Sequence, residues 1–98
     1  MDFTNDPTWQ QAHRLTLVIY QLTMMFPPEE QARLAARMRD VAIDLAAQIA
    51  AGEGGAQGAA ARLAYYLLLA RDLGFMTSNM YSECHTLVTR VQQMLDTP

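Results

Sequence analysis

The residues best suited to nucleophilic chemistry are Cys84, the only cysteine of the chain, and His85, which follows it directly. A thiolate is an active nucleophile when an imidazole contacts it. Neighbouring residues of a helix point about 100° apart, so we expect these two side chains not to face each other. A single cysteine also excludes an intrachain disulfide and a cysteine-based zinc site. The pair therefore predicts no catalytic thiol.

Two further groups could bind a metal. Asp40 and Asp44 lie one helical turn apart on one face, and His13 stands on the apolar side of its own segment. Metal sites in helix bundles use a Glu-x-x-His spacing on facing helices, and the sequence contains no such spacing. We interpret the aspartates as a solvated charged face and His13 as a packing residue. We expect no catalytic residue, metal or cofactor, and hence no enzyme.

Arg39 is the least easily explained charge. It is the only charged residue on a stripe of mostly small side chains, which comprises Ala32, Ala35, Ala36, Ile43, Ala46 and Ala50. Such an arginine can extend to solvent, pair with a carboxylate across an interface, or bind a ligand, and all three remain open. Tyr65 and Tyr66 could stack on bases, but few basic residues surround them, which favours a core or subunit-contact role.

Local signals divide the chain into four helices, at about 7–25, 28–51, 59–73 and 78–95. Asp6-Pro7 is typical of a helix start, and Phe26-Pro27-Pro28 separates the first two helices. Gly52 and Gly74 are placed to end the second and third helices, and Thr77 to cap the fourth. Short connections after the first and third helices favour an all-α, up-down-up-down antiparallel four-helix bundle in a single domain.

The second helix is predicted to have distinct faces. Its bulky apolar stripe consists of Leu34, Met38, Val41, Leu45 and Ile49. Its polar stripe consists of Arg33, Arg37, Asp40, Asp44 and Gln48. The stripe of small residues around Arg39 forms the third face, so this helix can bury two of its sides.

The first and third helices carry more apolar surface than one bundle can bury. The segment 63–70 has no polar face, although a bundle leaves roughly half of each helix exposed. Tyr65, Tyr66 or Leu68 must therefore face water or contact another subunit, and we favour the subunit contact. The candidate oligomer interface comprises Tyr65, Tyr66, Leu68, Ala35, Ile43 and Arg39.

Composition narrows the function classes. The chain has 98 residues, 51% of them hydrophobic, with a net charge of −3. Proteins that grip phosphates normally carry a basic surplus, so the charge disfavours nucleic-acid binding. The N-terminus is acidic, and the longest apolar run is eight residues. We expect neither a signal peptide nor a membrane span, and we expect a cytoplasmic location.

Several segments resemble a known family, the four-helix bundle proteins encoded in bacterial 23S rRNA intervening sequences. They are similar to its W-Q-x-A-H, I-Y-x-x-T, F-P-x-E-E, I-A-E-G and A-x-D-L-G-Y motifs. The corresponding residues here are 9–13, 19–23, 26–30, 49–52 and 70–75. The resemblance implies a left-handed bundle that assembles into a ring, a homopentamer. Related accessory proteins of diversity-generating retroelements are basic pentamers that bind nucleic acid and a reverse transcriptase.

The chain departs from the family pattern where that pattern is basic. Arg39-Asp40 replaces an Arg-Arg pair, Ala51 replaces a glutamate, and a glycine-rich segment at 52–58 replaces a basic stretch. The third helix is also expected to be about three turns shorter than in the family. We therefore expect a non-enzymatic homo-oligomer, with a further protein partner left open. The alternative is an RNA-binding accessory factor that acts through Arg39, Arg37 and Arg33.

Overall fold

Four α-helices make up most of the computed structural model, which describes residues 2–96. They are α1 (Pro7–Thr23), α2 (Leu34–Ala51), α3 (Ala56–Asp72) and α4 (Ser78–Asp96). Short 3-10 helices at Phe3–Asn5 and Pro28–Glu30 precede α1 and α2. Residues 2–96 contain no strand and no helix that is long and apolar enough to cross a membrane.

Each helix packs against two others. The contacts run from α1 to α2, α2 to α3, α3 to α4 and α4 back to α1, so the helices enclose one core. The all-α four-helix bundle expected from the sequence is confirmed. The bulky stripe of α2 lies in this core, with Leu34, Met38, Val41 and Leu45 buried and Ile49 packed against them.

The helix ends follow the local signals. The Thr8 N–H donates to Asp6 Oδ1 at 3.0 Å, with Pro7 in the first helical position, and the Met80 N–H donates to Thr77 Oγ1 at 3.1 Å. Gly52 ends α2 with a left-handed φ of 67°, which satisfies the last carbonyls of the helix at little steric cost. These capping predictions are confirmed.

The predicted start of the second helix at residue 28 is wrong. Pro28–Glu30 forms a 3-10 turn, Arg33 has non-helical dihedrals, and α2 begins only at Leu34. The Gln31 side chain explains the interruption, because its Nε2 donates to the carbonyls of Thr23 at 2.8 Å and Phe26 at 3.1 Å. The Thr23 carbonyl belongs to the last residue of α1, where it also accepts from the Phe26 N–H at 3.1 Å, and the Phe26 carbonyl lies in the turn that follows.

The predicted start of the third helix at residue 59 is also wrong, because α3 begins at Ala56 and buries Ala56 and Ala59 against the core. The connection between α2 and α3 is consequently limited to residues 52–55. Helix α3, like α1, is 17 residues long. Smaller differences occur at three helix ends. α1 stops at Thr23, two residues early, α3 stops at Asp72, one residue early, and α4 continues one residue further, to Asp96.

Two glycine substitutions test where the turn ends and the helix begins. Gly58 lies in α3, and a Cβ at this position would meet nothing within 4 Å, so Gly58→Ala should raise the free energy of unfolding by about 0.5–1 kcal/mol. Gly52 has equal space but a positive φ, so Gly52→Ala should lower it by about 1–2 kcal/mol. Urea unfolding measures both, and effects of the same sign would contradict the observed boundaries.

Candidate interaction surfaces

Arg39 lies at the centre of a hydrogen-bonded group that joins α1 to α2. Its Nε donates to Thr23 Oγ1 and its Nη2 donates to Gln31 Oε1, both at 2.8 Å. The Thr23 hydroxyl in turn donates to the Ile19 carbonyl at 2.7 Å. We call Arg39, Thr23 and Gln31 the Arg39 network. It connects the end of α1, the turn after it and the second turn of α2.

The Arg39 network bears on the three roles left open for this arginine. Arg39 is half-buried, and its guanidinium carbon lies 5.7 Å from the centroid of the Tyr20 ring. No carboxylate within residues 2–96 forms an ion pair with it. Its Nε and Nη2 are therefore already bound by neutral groups of the same chain, a role that the sequence did not suggest.

Beside Arg39, four large apolar side chains are exposed. Leu17 and Tyr20 lie on α1, Met24 follows them at helical spacing directly after α1 ends, and Ile43 stands one turn after Arg39 on α2. The hydrogen bond from Thr16 Oγ1 to the Ala42 carbonyl, at 3.2 Å, places the middles of these helices side by side. We call Leu17, Tyr20, Met24 and Ile43 the α1–α2 face. Several large apolar side chains exposed in one region are typical of protein interfaces.

A second apolar surface lies on the outer side of α3. Tyr65 is 57% exposed and points away from the core, with the half-buried Leu68 one turn further along. We call Tyr65 and Leu68 the α3 face. Tyr66 is half-buried on the side of α3 that faces α2. Helices α1 and α3 do not contact each other, so the α1–α2 and α3 faces occupy different sides of the bundle.

One candidate interface residue does not reach the surface. Ala35 is fully buried in the core of the protomer, so its place in the interface set is corrected. It lies on the side of α2 that packs against the bundle, and its small side chain lets the neighbouring helix approach. Ile43 and Arg39, from the same predicted stripe, do stay at least partly accessible.

The three arginines proposed for nucleic acid do not come together. Arg33 and Arg37 are exposed and line a groove between α2 and α3 with Tyr66 and Leu69. Arg39 instead points towards α1, where it is bound in the Arg39 network. Within residues 2–96, Arg33 and Arg37 have no hydrogen-bond or ion-pair partner from their side chains.

The possible catalytic groups are separated. Cys84 is fully buried, whereas the adjacent His85 is exposed and stacks on Tyr81 with ring centroids 5.6 Å apart. Burial, with a smaller contribution from the negative charge of Glu83, raises the pKa of the Cys84 thiol to about 11. His13 is exposed and stacks on Trp9 at 4.8 Å. In the described part of the chain, no three acidic, histidine or cysteine side chains converge on a metal position.

Sequence reasoning missed two parts of these surfaces. Thr23 and Gln31 carry no local signal for their roles, because their partners come from other elements. Leu17, Tyr20 and Met24 did carry a local signal, since spacings of three and four residues predict one shared side of a helix, but this spacing does not show whether that side is buried or exposed.

Together, the four helices that enclose one core define a four-helix bundle protein, and its outer surface carries exposed apolar side chains. The chain belongs to the 23S rRNA-intervening sequence protein family, whose model matches residues 5–97. No curated protein and no solved structure is significantly similar to it. The family membership agrees with the resemblance carried by the tryptophan, proline and glycine motifs.

Cys84 provides a test of the buried core. A pKa raised from 9.0 to about 11 leaves about 100-fold less thiolate at pH 8, so alkylation of the native protein should be at least about 100-fold slower than in urea. The folded state favours the neutral thiol, so the raised pKa of Cys84 contributes to the free energy of unfolding. This contribution is complete below pH 9 and is lost as the pH rises towards 11. Equal alkylation rates in both states would contradict the burial.

Proposed function

We propose that this protein is a non-enzymatic, cytoplasmic helical-bundle protein that assembles with copies of itself into a ring. The observation that carries the proposal is the pair of exposed apolar faces, one on α1 and α2 and the other on α3. Exposed apolar surface is costly to leave in water, and a second copy can cover it.

The bundle in this proposal has its helices in up-down-up-down order. Two contacts support that order. Phe3–Asn5, which precedes α1, lines a groove with Ile49 and Gly52 at the end of α2. Gln57 Nε2 at the start of α3 donates to Asp96 Oδ1 at the end of α4, at 2.6 Å. Antiparallel neighbours bring such distant residues together.

The two faces favour a head-to-tail contact. A ring forms when one patch of each subunit meets a different patch of the next and the rotation closes. The α1–α2 face and the α3 face are made of different residues, and α1 and α3, which carry most of them, do not contact each other, so one face of a subunit can meet the other face of the next. Five subunits is the ring size that the family resemblance implies.

Three features support a role without catalysis and a reducing compartment. The only thiol is buried and protonated at neutral pH, and its neighbouring imidazole points outwards. The Arg39 network engages two of the arginine's nitrogens in structural hydrogen bonds. An unpaired buried cysteine is typical of a cytosolic protein, where thiols stay reduced.

Blocking each face separately tests the ring. Leu17→Glu with Ile43→Glu, or Tyr65→Glu alone, should abolish the ring in sedimentation velocity, because each buries a carboxylate in an apolar contact. All three residues are exposed in the protomer, so helicity measured by circular dichroism should not change. Mixing the two variants should produce a species absent from either, since each retains one intact face.

Met25→Glu is the matched control for the ring test. Met25 is 74% exposed but lies in the turn after α1, off the line of Leu17 and Tyr20, so the assembly should keep its mass. A wild-type monomer at micromolar concentration would refute the ring. Assembly that survives both face variants would place the contact elsewhere.

The second candidate function is RNA binding by the oligomer. It is supported by Arg33 and Arg37, which are exposed, have no partner in the described residues and share a groove with Tyr66. It predicts that affinity for a short single-stranded RNA falls steeply between about 50 and 200 mM salt, on the order of tenfold or more, because counterions are released at each phosphate contact. Arg33→Ala with Arg37→Ala should flatten that salt dependence, whereas no binding at the lower salt concentration would exclude this function.

A further inference from the structure

On the exposed polar stripe of α2, which includes the residue before this helix, the positive charges lie at one end and the negative charges at the other. Arg33 and Arg37 form its N-terminal part, and Asp40 and Asp44 form the part that follows. All four side chains are exposed, and none forms an ion pair within residues 2–96. We call these four residues the charged stripe. It spans about 16 Å along the helix.

Within one molecule, the charged stripe places like charges next to each other, which is energetically unfavourable. Arg33 and Arg37 are four residues apart, as are Asp40 and Asp44, so each pair places like charges on adjacent turns. Like-charge pairs at this spacing destabilise a helix by about as much as opposite pairs stabilise it. Glu30 lies near the basic half and Arg62 near the acidic half, but neither forms an ion pair with the stripe.

The order and spacing of these charges are self-complementary. The spacings are four, three and four residues, which is the same in both directions, and reversal of the direction exchanges the basic half for the acidic half. A second α2 that runs antiparallel, with a two-fold axis between Arg37 and Asp40, brings Arg37 opposite Asp40 and Arg33 opposite Asp44. One register therefore aligns four opposite-charge pairs at once.

We propose that the charged stripe of α2 is a two-fold docking surface for a second copy of this chain. The contact is isologous, since the same residues meet from both sides. Tyr66 and Leu69, half-buried in the groove beside Arg33 and Arg37, add apolar area at its edge. This surface differs from the α1–α2 and α3 faces, so the proposal goes beyond the ring: the two-fold contact pairs two rings, or two protomers if no ring forms.

Charge reversal tests the proposal. Arg33→Asp with Arg37→Asp makes the stripe wholly acidic, and Asp40→Arg with Asp44→Arg makes it wholly basic. Each double variant should halve the mass of the assembly in sedimentation velocity and native mass spectrometry. An equimolar mixture of the two should recover the wild-type mass, and a variant with all four charges exchanged should keep it, because its stripe is again self-complementary.

These variants separate docking from misfolding and from failure of the ring. All four residues are exposed, so circular dichroism and thermal unfolding should remain like those of the wild type. The ring-blocked variant with Leu17→Glu and Ile43→Glu should still form a dimer, and adding Arg33→Asp with Arg37→Asp should make it monomeric. Unchanged mass in the double variants, or failure of the mixture and of the fourfold exchange to recover it, would overturn the proposal. Loss of RNA binding at unchanged mass would overturn it as well, and would assign the arginines to nucleic acid.

Discussion

The close approach of α1 and α2 is the constraint on which the rest of the structure depends. Within residues 2–96, eight of the 22 buried apolar residues are alanines, and the Thr16 hydroxyl reaches across to the Ala42 carbonyl at 3.2 Å. Small side chains allow helices to pack closely, but they also make the core narrow. Leu17, Tyr20 and Tyr65 lie on the outer sides of their helices and stay exposed, so the protomer combines a core rich in small side chains with large apolar side chains on its surface.

The Arg39 network depends on that close approach too. Thr23, Gln31 and Arg39 come from α1, the following turn and α2, and their side chains meet only because the helices are close. The network carries a desolvation cost, because the Arg39 guanidinium is half-buried and forms no ion pair with a carboxylate of the described residues. That cost is offset by hydrogen bonds to the guanidinium and by satisfaction of the Thr23 and Phe26 carbonyls. It thus fixes where α1 ends and where α2 begins.

How much the sequence reveals depends on the range of the interaction. Asp6, Gly52 and Thr77 act on backbone groups a few residues away, so their capping roles could be read directly. The start of α2 could not, because Gln31 is drawn out of the helix by carbonyls that only the fold brings near. The exposure of Tyr65 was foreseeable from an all-apolar segment. The α1–α2 face was not, because the broad apolar arc of α1 could be divided between core and surface only once the position of α2 was known.

The apolar faces and the charged stripe differ in what they can contribute to assembly. Burial of apolar side chains yields roughly 25 cal/mol for each Å² removed from water, so the α1–α2 and α3 faces can supply most of the binding free energy. Exposed ion pairs contribute only about 0–1 kcal/mol each, yet wrongly opposed charges are costly, so the charged stripe acts mainly on orientation. Salt screens exposed charges and leaves apolar contacts intact. In the proposed assembly, a ring held by the apolar faces should therefore persist at ionic strengths that dissociate a contact made through α2, because the two kinds of contact respond differently to salt.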